Sequence, residues 1–428
     1  MPVKSRLPAF AGKIGNRHNG GSPRRRVGRP DREPVPREAW QRLAACTAAA
    51  ALLQMDGTLI TVALPSVAHS LGVSSSSTAI VLSAYFLAYA VALLPAGSLV
   101  DRFDARRLAL VGLGLFALGA AAGAVVSSIA ALVATRVVMG VGAGIVSPAA
   151  LAGAVSGFPP ERRGSALGIW GASAGISNLL GPLLGGILTV ALGWRANWWA
   201  LVPLALLAAI GIVRFVPRTV HGEDARHPVL NRTVVVASWV AALTFAIMIG
   251  CFYLAEQYLQ RAAGFSALGA SSVLVVVALL VGAAAPVAGR LVDLYGERLP
   301  AVAGFAASAV GLLVLGVPGV PLHSPVTILP LIPIGLGLGM LFVPTSRAAL
   351  NSTPLSSHGR TSALLSMGRL LGAAIGAGLA GAALAAGVTG STVHTALLIA
   401  CAACVLLGIP AASRLGSGVP AAPLASNG

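Results

Sequence analysis

Three charged side chains lie deep inside long apolar segments of this sequence: Asp56, Arg136 and Arg369. Burying a charge in a nonpolar segment is costly, so such residues generally have a function. A carboxyl group that gains and loses a cationic partner can release and bind a proton. We therefore predict that Asp56 binds and releases protons, with Arg136 as its partner. Arg369 and Glu256, an acid at the end of another apolar segment, are further candidates for contacts with protons or substrate.

The positions of Asp56 and Arg136 within their segments indicate that the two side chains meet. Asp56 lies eight residues from the end of its segment and Arg136 about six residues from the start of its own. At 1.5 Å per helical residue these depths are ~12 Å and ~9 Å. A static ion pair without a functional role is the alternative. Arg369 is expected to face the interior of the molecule, and Glu256 to be solvated unless it forms a second proton or cation site.

The composition is that of a membrane protein with many spans. Hydrophobic residues make up 56% of the 428 residues, charged residues only 10%, and the mean hydropathy is +0.86. A net charge of +17 does not indicate a nucleic-acid partner here, because the basic residues lie mainly in the N-terminal tail and in short turns. We predict an all-α protein embedded in a lipid bilayer.

Twelve apolar stretches are long enough to cross a bilayer core of roughly 30 Å as helices. No cleavable signal peptide is expected, because the N-terminus is polar and the first apolar stretch is long enough to span. The predicted spans lie near residues 43–64, 78–99, 108–127, 130–152, 164–191, 198–216, 233–255, 270–290, 299–317, 326–346, 361–386 and 392–412.

The basic residues predict the orientation of the chain. If both termini and the turns that follow even-numbered spans share one side, that side holds 25 of the 29 Lys and Arg residues, and the other side holds two. An excess of Lys and Arg marks cytoplasmic loops. We therefore expect both termini in the cytoplasm and the protein in the plasma membrane.

An internal repeat divides the spans into two groups of six. Three motifs recur in order with offsets of 192, 195 and 197 residues: 97–101 as 289–293, 140–144 as 335–339, and 165–167 as 362–364. A repeat of this kind is typical of secondary transporters. The predicted organisation is a disordered basic cytoplasmic tail (1–41), a six-helix bundle (42–217), a cytoplasmic linker (218–232), a second six-helix bundle (233–413) and a cytoplasmic tail (414–428).

Five longer motifs identify a family that the chain resembles. They are MDGTLITVALP (55–65), GSLVDRFDARR (97–107), TRVVMGVGAG (135–144), GISNLLGPLLGG (175–186) and YLQRAAGFSAL (258–268). Together they resemble the major facilitator superfamily, and most closely its drug:proton antiporter family, which usually has 14 spans. The resemblance covers roughly residues 43–412 and implies two six-helix bundles around a central cavity. It also implies a proton gradient as the energy source, with no cofactor.

The same resemblance implies roles for two sets of residues. It makes a gating loop of Gly97, Asp101, Arg102, Arg106 and Arg107, with a second copy at Gly289 and Asp293. It places Asp101 near the N-terminus of span eleven, where the helix dipole would hold a carboxylate, and Asp293 near the start of span five. The alternative is that the arginines only anchor the topology.

The second set is the antiporter motif of span five, which bends this span and is linked to exchange rather than uptake. Its residues are Gly175, Gly181, Pro182, Gly185 and Gly186. Two positions depart from the family pattern: Asp104 replaces a glycine of the gating loop, and Ser177 replaces a glycine of the antiporter motif.

These observations favour a transporter that exports a small organic compound, drug-like or a secondary metabolite, in exchange for protons. A proton-coupled importer of a metabolite is the first alternative, and a membrane sensor or enzyme is the second. The expected partners are a small-molecule substrate, protons and the bilayer, with no nucleic acid, and the protein is expected to be monomeric. No metal site is expected, because Cys401 and Cys404 lack further ligands nearby. No nucleotide-binding loop is expected either, because residues 140–144 suit helix packing better.

Overall fold

The computed structural model describes residues 35–158, 163–218, 230–320, 322, 327–354 and 358–416. Within these ranges the chain forms fourteen α-helices and no strand. The helices are α1 (Arg37–Leu71), α2 (Ser75–Arg102), α3 (Ala105–Val125), α4 (Ile129–Val155), α5 (Arg163–Leu192), α6 (Arg195–Phe215), α7 (Arg232–Arg261), α8 (Ala267–Tyr295), α9 (Arg298–Gly316), α10 (Ile328–Met340), α11 (Phe342–Asn351), α12 (His358–Ala383), α13 (Gly390–Ala403) and α14 (Ile409–Ala412). The prediction of an all-helical protein is confirmed.

Eleven apolar helical segments in the described ranges are long enough to cross a membrane. One of them combines α10 and α11, and another combines α13 and α14 through a π-helical turn, Cys404–Gly408. The remaining predicted span corresponds to α5, a helix of 30 residues with part of its side chains outside the described residues. The predicted spans are thus all helical.

The outward faces of the helices are apolar. Leu118, Leu207 and Ile399 are 68%, 63% and 65% exposed, respectively. Large exposed aliphatic surfaces are unfavourable in water but match the hydrocarbon core of a bilayer, where every backbone group is satisfied within a helix. The protein is therefore a multi-pass membrane protein.

The first helix starts within the segment that was assigned to the N-terminal tail (1–41). It begins at Arg37, directly after Pro36, with Glu38 in its first turn and Ala39 buried. Arg42 pairs with Glu38 one turn earlier, at 3.4 Å. A proline before the first turn and an acid within it favour a helix start, so α1 extends several residues beyond its apolar stretch. Residues 1–34, and most of the predicted linker 218–232, lie outside the described residues.

Two glycine-rich segments allow neighbouring helices to approach closely in each half of the chain. In residues 140–144, the first and last glycines meet the backbone of α2 and the middle glycine meets the backbone of α3. In residues 335–339 the same pattern recurs against α8 and α9. Small residues at this spacing are typical of tightly packed membrane helices. Both segments lie within helices, so neither is a nucleotide-binding loop, and their matching contacts agree with the internal repeat.

The two ends of the molecule differ in charge. We call the end where α1 meets α2 the Ser75 end, and the opposite end, where α2 meets α3, the Arg106 end. Of the described arginines at helix ends, Arg195 and Arg261 lie at the Ser75 end and the others lie at the Arg106 end. The first half of the chain (α1–α6) and the second half (α7–α14) are joined by hydrogen bonds near the Ser75 end, such as Ser83 Oγ to the carbonyl oxygen of Ala374 at 3.0 Å.

Gly372 marks the closest approach of α12 to α7 and gives a test of this packing. A methyl group at Gly372 would overlap the backbone of Ala242, whereas a methyl group at Gly378, on the same helix, would meet only Ser83 Oγ at 3.7 Å. Gly372→Ala should therefore destabilise the protein by about 1–3 kcal/mol, because two backbones must separate. Gly378→Ala should have little effect. Thermal unfolding of both variants in detergent measures the difference, and equal midpoints would show that the close contact is not required.

Candidate functional site

The structure brings Asp56 of α1 and Arg136 of α4 together in the interior of the first half. Arg136 Nη1 donates to both carboxylate oxygens of Asp56, at 2.8 and 2.7 Å. Both side chains are 0% exposed. Two buried charges stabilise each other only when they are in direct contact, and removing one leaves the other uncompensated. The pair therefore ties α1 to α4, as expected from the positions of the two residues in their segments.

A third helix, α2, completes the surroundings of Arg136. The ring of Tyr85 lies 4.1 Å from the guanidinium carbon, and the Tyr85 hydroxyl donates to the carbonyl oxygen of Leu53 on α1 at 2.7 Å. Arg136 Nε donates to the carbonyl oxygen of Val81 at 3.4 Å. Arg136 Nη2 has no hydrogen-bond partner among the described residues. The guanidinium is thus held by one carboxylate and one aromatic face, and its Nη2 group donates to no described residue.

The contact of Tyr85 with Arg136 was not predicted from the sequence. Tyr85 is an aromatic residue in an apolar span, and the sequence does not reveal which face of α2 is turned toward Arg136. In the structure Gly140 of α4 marks this contact, because a Cβ there would lie 2.5 Å from the carbonyl oxygen of Tyr85. Such a contact is compatible with glycine alone and places Tyr85 beside α4.

The antiporter motif of α5 packs against α1 beside Asp56. A methyl group at Gly181 would overlap Thr58 and approach the carbonyl oxygen of Met55, and one at Gly185 would meet the carbonyl oxygen of Leu59. These glycines therefore let the two backbones touch on either side of the carboxylate. Pro182, next to Gly181, is buried within α5. The environment of Gly175 lies outside the described residues.

Ser177 and Gly186 show that α5 contacts both halves of the chain. Ser177 Oγ, which stands where the family pattern has a glycine, is within hydrogen-bond distance of the carbonyl oxygens of Ala51 on α1 (2.9 Å) and Ser173 (2.8 Å). Gly186 faces α8, where an added methyl group would overlap Ser271. The serine therefore preserves the contact between α5 and α1, and Gly186 lets α5 touch the second half.

Arg369 lies on α12 in the second half. Its Nη2 donates to Ser346 Oγ at 2.9 Å, and its guanidinium carbon lies 5.9 Å and 5.7 Å from the ring centres of Phe245 and Phe342. A small cavity beside it is also lined by Thr345. No ion pair of Arg369 occurs among the side chains that the structure describes.

The expectation that Glu256 is solvated is wrong. Glu256 is 0% exposed, and its Oε2 accepts a hydrogen bond from Gln260 Nε2 at 2.6 Å. Helix α7 continues to Arg261, beyond the apolar stretch that ended at residue 255, so Glu256 lies more than a turn before the helix end. Asp56 is therefore not the only carboxyl group buried within a span.

The gating loop at the Arg106 end is described in part. The side chains of Asp101 and Arg102 lie outside the described residues, and a methyl group at Gly97 or Gly289 would meet nothing within 4 Å. Arg106 Nη1 donates to the carbonyl oxygen of Val216 at the end of α6, at 3.2 Å.

The other described residues of this loop belong to the start of α3. Asp104 accepts from the backbone N–H of Arg107 at 2.9 Å, as an N-cap. The departure from the family's glycine therefore gives α3 a defined start. Arg107 itself is exposed.

Asp293, the repeated copy of Asp101, was predicted to face the start of α5. In the structure its carboxylate pairs with Arg347 of α11, which belongs to the same half. Residues 159–162, directly before α5, lie outside the described residues. Arg347 also lies 3.6 Å from Glu297. A full positive charge on a neighbouring helix attracts a carboxylate more strongly than the partial charge of a helix N-terminus. Because the Asp293 side chain is 70% exposed, we expect this pair to contribute little to stability.

No group of three or more metal-ligating side chains occurs among the described residues. The four cysteines are free thiols, and Cys401 Sγ lies 3.3 Å from the carbonyl oxygen of Ala309, between α13 and α9. These thiols therefore contribute to helix packing.

The buried ion pair predicts a non-additive effect on stability. Asp56→Asn and Arg136→Gln each leave one buried charge without its partner and should cost about 3–5 kcal/mol. The double variant should lose clearly less than the sum of the two, because no unpaired charge remains. Arg107→Gln, at an exposed site on α3, is the matched control and should change nothing. Thermal unfolding in detergent measures all four proteins, and additive losses would show that the two charges do not depend on each other.

Comparisons with known proteins agree with this architecture. An uncharacterised MFS-type transporter of Mycobacterium tuberculosis is 37% identical over 185 residues, which cover 43% of this chain and 32% of that protein. The chain thus matches about a third of that relative's length. The tetracenomycin C resistance and export protein of Streptomyces glaucescens is 25% identical over 400 residues, covering 79% of this chain and 74% of that protein.

A solved structure shares the fold. It is the crystal structure of a bacterial homologue of the human lysosomal transporter Spinster, with a TM-score of 0.67, 17% identity and coverage of 89% of this chain and 96% of that chain. The family model of the Major Facilitator Superfamily matches residues 46–377 and 238–425, which together take in both halves and the site around Asp56. The chain therefore belongs to the Major Facilitator Superfamily and is a membrane transporter of small molecules rather than an enzyme.

Proposed function

We propose that this transporter exports a small organic compound in exchange for protons by alternating access, with Asp56 as the residue that carries the proton. The observation that carries the proposal is the pair of Asp56 and Arg136, sealed at 0% exposure within three packed helices. A transporter that needed only a structural anchor would gain nothing from a carboxylate there, because apolar packing is at least as stable as a buried ion pair.

The chemistry of the pair suits proton exchange. When a proton binds a carboxylate oxygen of Asp56, the ion pair with Arg136 becomes a much weaker hydrogen bond to a neutral acid. Arg136 keeps its contacts with Tyr85 and Val81, so it remains in place while Asp56 is released. Since water does not reach the pair in this arrangement, proton binding and release must accompany a rearrangement of the helices. That requirement links the proton to the conformational change.

Helix α5 is positioned to transmit this rearrangement. It touches α1 through Gly181 and Gly185 beside Asp56, and it touches α8 of the other half through Gly186. A shift of α1 relative to α4 therefore moves a helix that lies at the contact between the two halves. In alternating access the two halves rock about such contacts around a central site.

The direction of transport and the substrate class also belong to the proposal. The excess of arginines at the Arg106 end supports a cytoplasmic location for that end and an external location for the Ser75 end, in the plasma membrane. A relative named as a resistance and export protein supports export. The buried carboxylate of Asp56 suits a lipophilic cation that competes with protons, and Arg369 with its two aromatic neighbours suits polar or acidic groups on an aromatic compound.

Efflux from cells tests the proposed function. Cells that express the chain are loaded with the lipophilic cation ethidium or with an aromatic polyketide such as tetracenomycin C, and loss of the compound is followed with and without a protonophore. We expect expressing cells to lose at least one compound faster than cells with an empty vector. The difference should vanish with the protonophore while cellular ATP is maintained.

Three outcomes of this measurement contradict the proposal. Greater accumulation in expressing cells would indicate import. Efflux that persists with the protonophore would indicate another energy source. Identical behaviour of expressing and control cells across a panel of cations and aromatic compounds would contradict export of this class of substrate.

Orientation is tested by thiol labelling of intact cells. Ser70→Cys places a thiol at an exposed position of the Ser75 end, and Leu294→Cys places one at a position that is 73% exposed at the Arg106 end. A membrane-impermeant maleimide should label the first variant in intact cells and the second only after the membrane is opened. The unmodified chain, whose four cysteines lie within spans, gives the background. Labelling of Leu294→Cys alone in intact cells would reverse the orientation.

A further inference from the structure

A cluster of polar side chains joins the two halves at the Ser75 end. Ser75 Oγ donates to Gln257 Oε1 at 2.7 Å, Gln257 Nε2 donates to Thr78 Oγ1 at 3.3 Å, and the hydroxyls of Thr78 and Tyr253 lie 2.8 Å apart. The Tyr253 hydroxyl also contacts the Ser75 carbonyl, and Arg261 donates to Ser75 Oγ. We call this contact between α2 and α7 the Ser75 seam. Its hydrogen bonds hold α2 against α7 at this end.

Glu256 lies beside the seam on a neighbouring face of α7. Gln260 Nε2 donates to Glu256 Oε2 at 2.6 Å and to the carbonyl oxygen of Val62 on α1 at 2.9 Å. Gln260 therefore connects the carboxyl group to the other half of the chain. Glu256 Oε1 is buried and has no hydrogen-bond partner among the described residues.

Val62 lies in the turn of α1 that precedes Pro65. Proline has no N–H, so the carbonyl oxygen of Thr61, four residues before Pro65, lacks its helical donor. The carbonyl oxygen of Val62, the next residue, accepts a hydrogen bond from Gln260 of α7. Val62 is also six residues beyond Asp56, or ~9 Å along the same helix. The contact with Gln260 is thus made by the helix that carries the buried ion pair.

Among the described residues, no cation pairs with Glu256. On α7 itself the described groups at this end are Tyr253, Tyr258 and Arg261, and Arg261 is directed to Ser75. The end of α1 contributes His69 and α13 contributes His394, which is bonded to the carbonyl oxygen of Leu315.

The ends of α2, α8 and α12 that face the Ser75 end contribute hydroxyl, small and aliphatic side chains, with Tyr85 of α2 directed to α1. No ion pair of Glu256 occurs among the described side chains. An ionised carboxylate in this position would be a buried, unpaired charge, whereas a protonated carboxyl would not.

We propose that Glu256 is a second proton-binding site, separate from Asp56, and that proton uptake there allows the Ser75 seam to close. The inference rests on the proposed proton-coupled transport, and it adds a site with its own location and role. With the Ser75 end open, water hydrates the ionised carboxylate. A proton from water then binds Glu256, the neutral side chain enters the seam, and Gln260 reaches Val62. When the seam reopens, the carboxyl group is hydrated again and transfers its proton to water.

A distance measurement across the seam tests the proposal without substrate or gradient. Spin labels are attached at Ser70→Cys and Ala262→Cys, both exposed, in the full chain with its four native cysteines replaced, and the protein is placed in lipid nanodiscs. As the pH rises from mildly acidic to mildly alkaline, we expect the ratio of long to short distances to increase about tenfold or more. Glu256→Gln, which cannot ionise, should remain closed over the whole range.

Two further variants test whether the pH response belongs to Glu256. Asp56→Asn should keep the pH response of the seam, because Glu256 is intact. Gln260→Met should open the seam more at every pH while keeping the pH response, because the bond to Val62 is lost and Glu256 remains. This variant also tests the seam if Glu256→Gln does not fold.

The proposal and the proposed function fail in different ways. A pH response in Glu256→Gln equal to that of the unmodified chain would overturn the role of Glu256, as would distances in Gln260→Met that match the unmodified chain at every pH. Loss of the response in Asp56→Asn alone would assign it to Asp56 and leave proton-coupled export standing. Efflux that is insensitive to a protonophore, together with a response confined to Glu256, would instead contradict the proposed export mechanism alone.

Discussion

A charge within a membrane span has to be compensated by an opposite charge close by, and this constraint organises the first half of the molecule. Asp56 can occupy α1 because Arg136 reaches it from α4 at 2.7 Å. Arg136 in turn is covered by Tyr85 of α2. Three helices are thus positioned by one carboxylate, and a change in its protonation alters the forces among all of them.

Close backbone contacts link that arrangement to neighbouring helices, so a shift of one helix moves the next. Glycines at 181 and 185 let α5 touch α1 on both sides of Asp56, and glycines at 372 and 376 let α12 touch α7 in the same manner. The two halves therefore share their packing but differ in their charges. The first half holds a compensated pair, and the second half holds Glu256 and Arg369 at separate places without a charged partner among the described residues. Under the proposed function, Asp56 of the first half carries the proton, while Glu256 and Arg369 of the second half act at the Ser75 seam and at the candidate substrate contacts.

Much of this arrangement can be read from the sequence because it follows from periodicity and hydropathy. Apolar length predicts the spans, the repeat predicts two similar halves, and counting residues from span ends predicts that Asp56 meets Arg136. The burial of Glu256 was missed, because hydropathy marks the end of an apolar stretch whereas α7 continues in polar residues to Arg261. Asp104 carried a readable signal, an acid directly before a helix, that was interpreted as a departure from a family pattern. The contacts of the Ser75 seam could not be predicted from the sequence, because contacts between the halves depend on which end of the transporter is closed.

The most direct test of the central claim is transport by Asp56→Asn in proteoliposomes. The readouts are uptake of ethidium, or of the compound exported by cells, driven by an imposed proton gradient, and exchange of the same compound without a gradient. Asp104→Asn is the matched control, because asparagine caps a helix as well as aspartate does. The account predicts that Asp56→Asn loses gradient-driven accumulation but retains exchange, while Asp104→Asn behaves like the unmodified protein. Gradient-driven accumulation by Asp56→Asn at the unmodified rate would contradict the account and reduce the buried pair to a structural anchor.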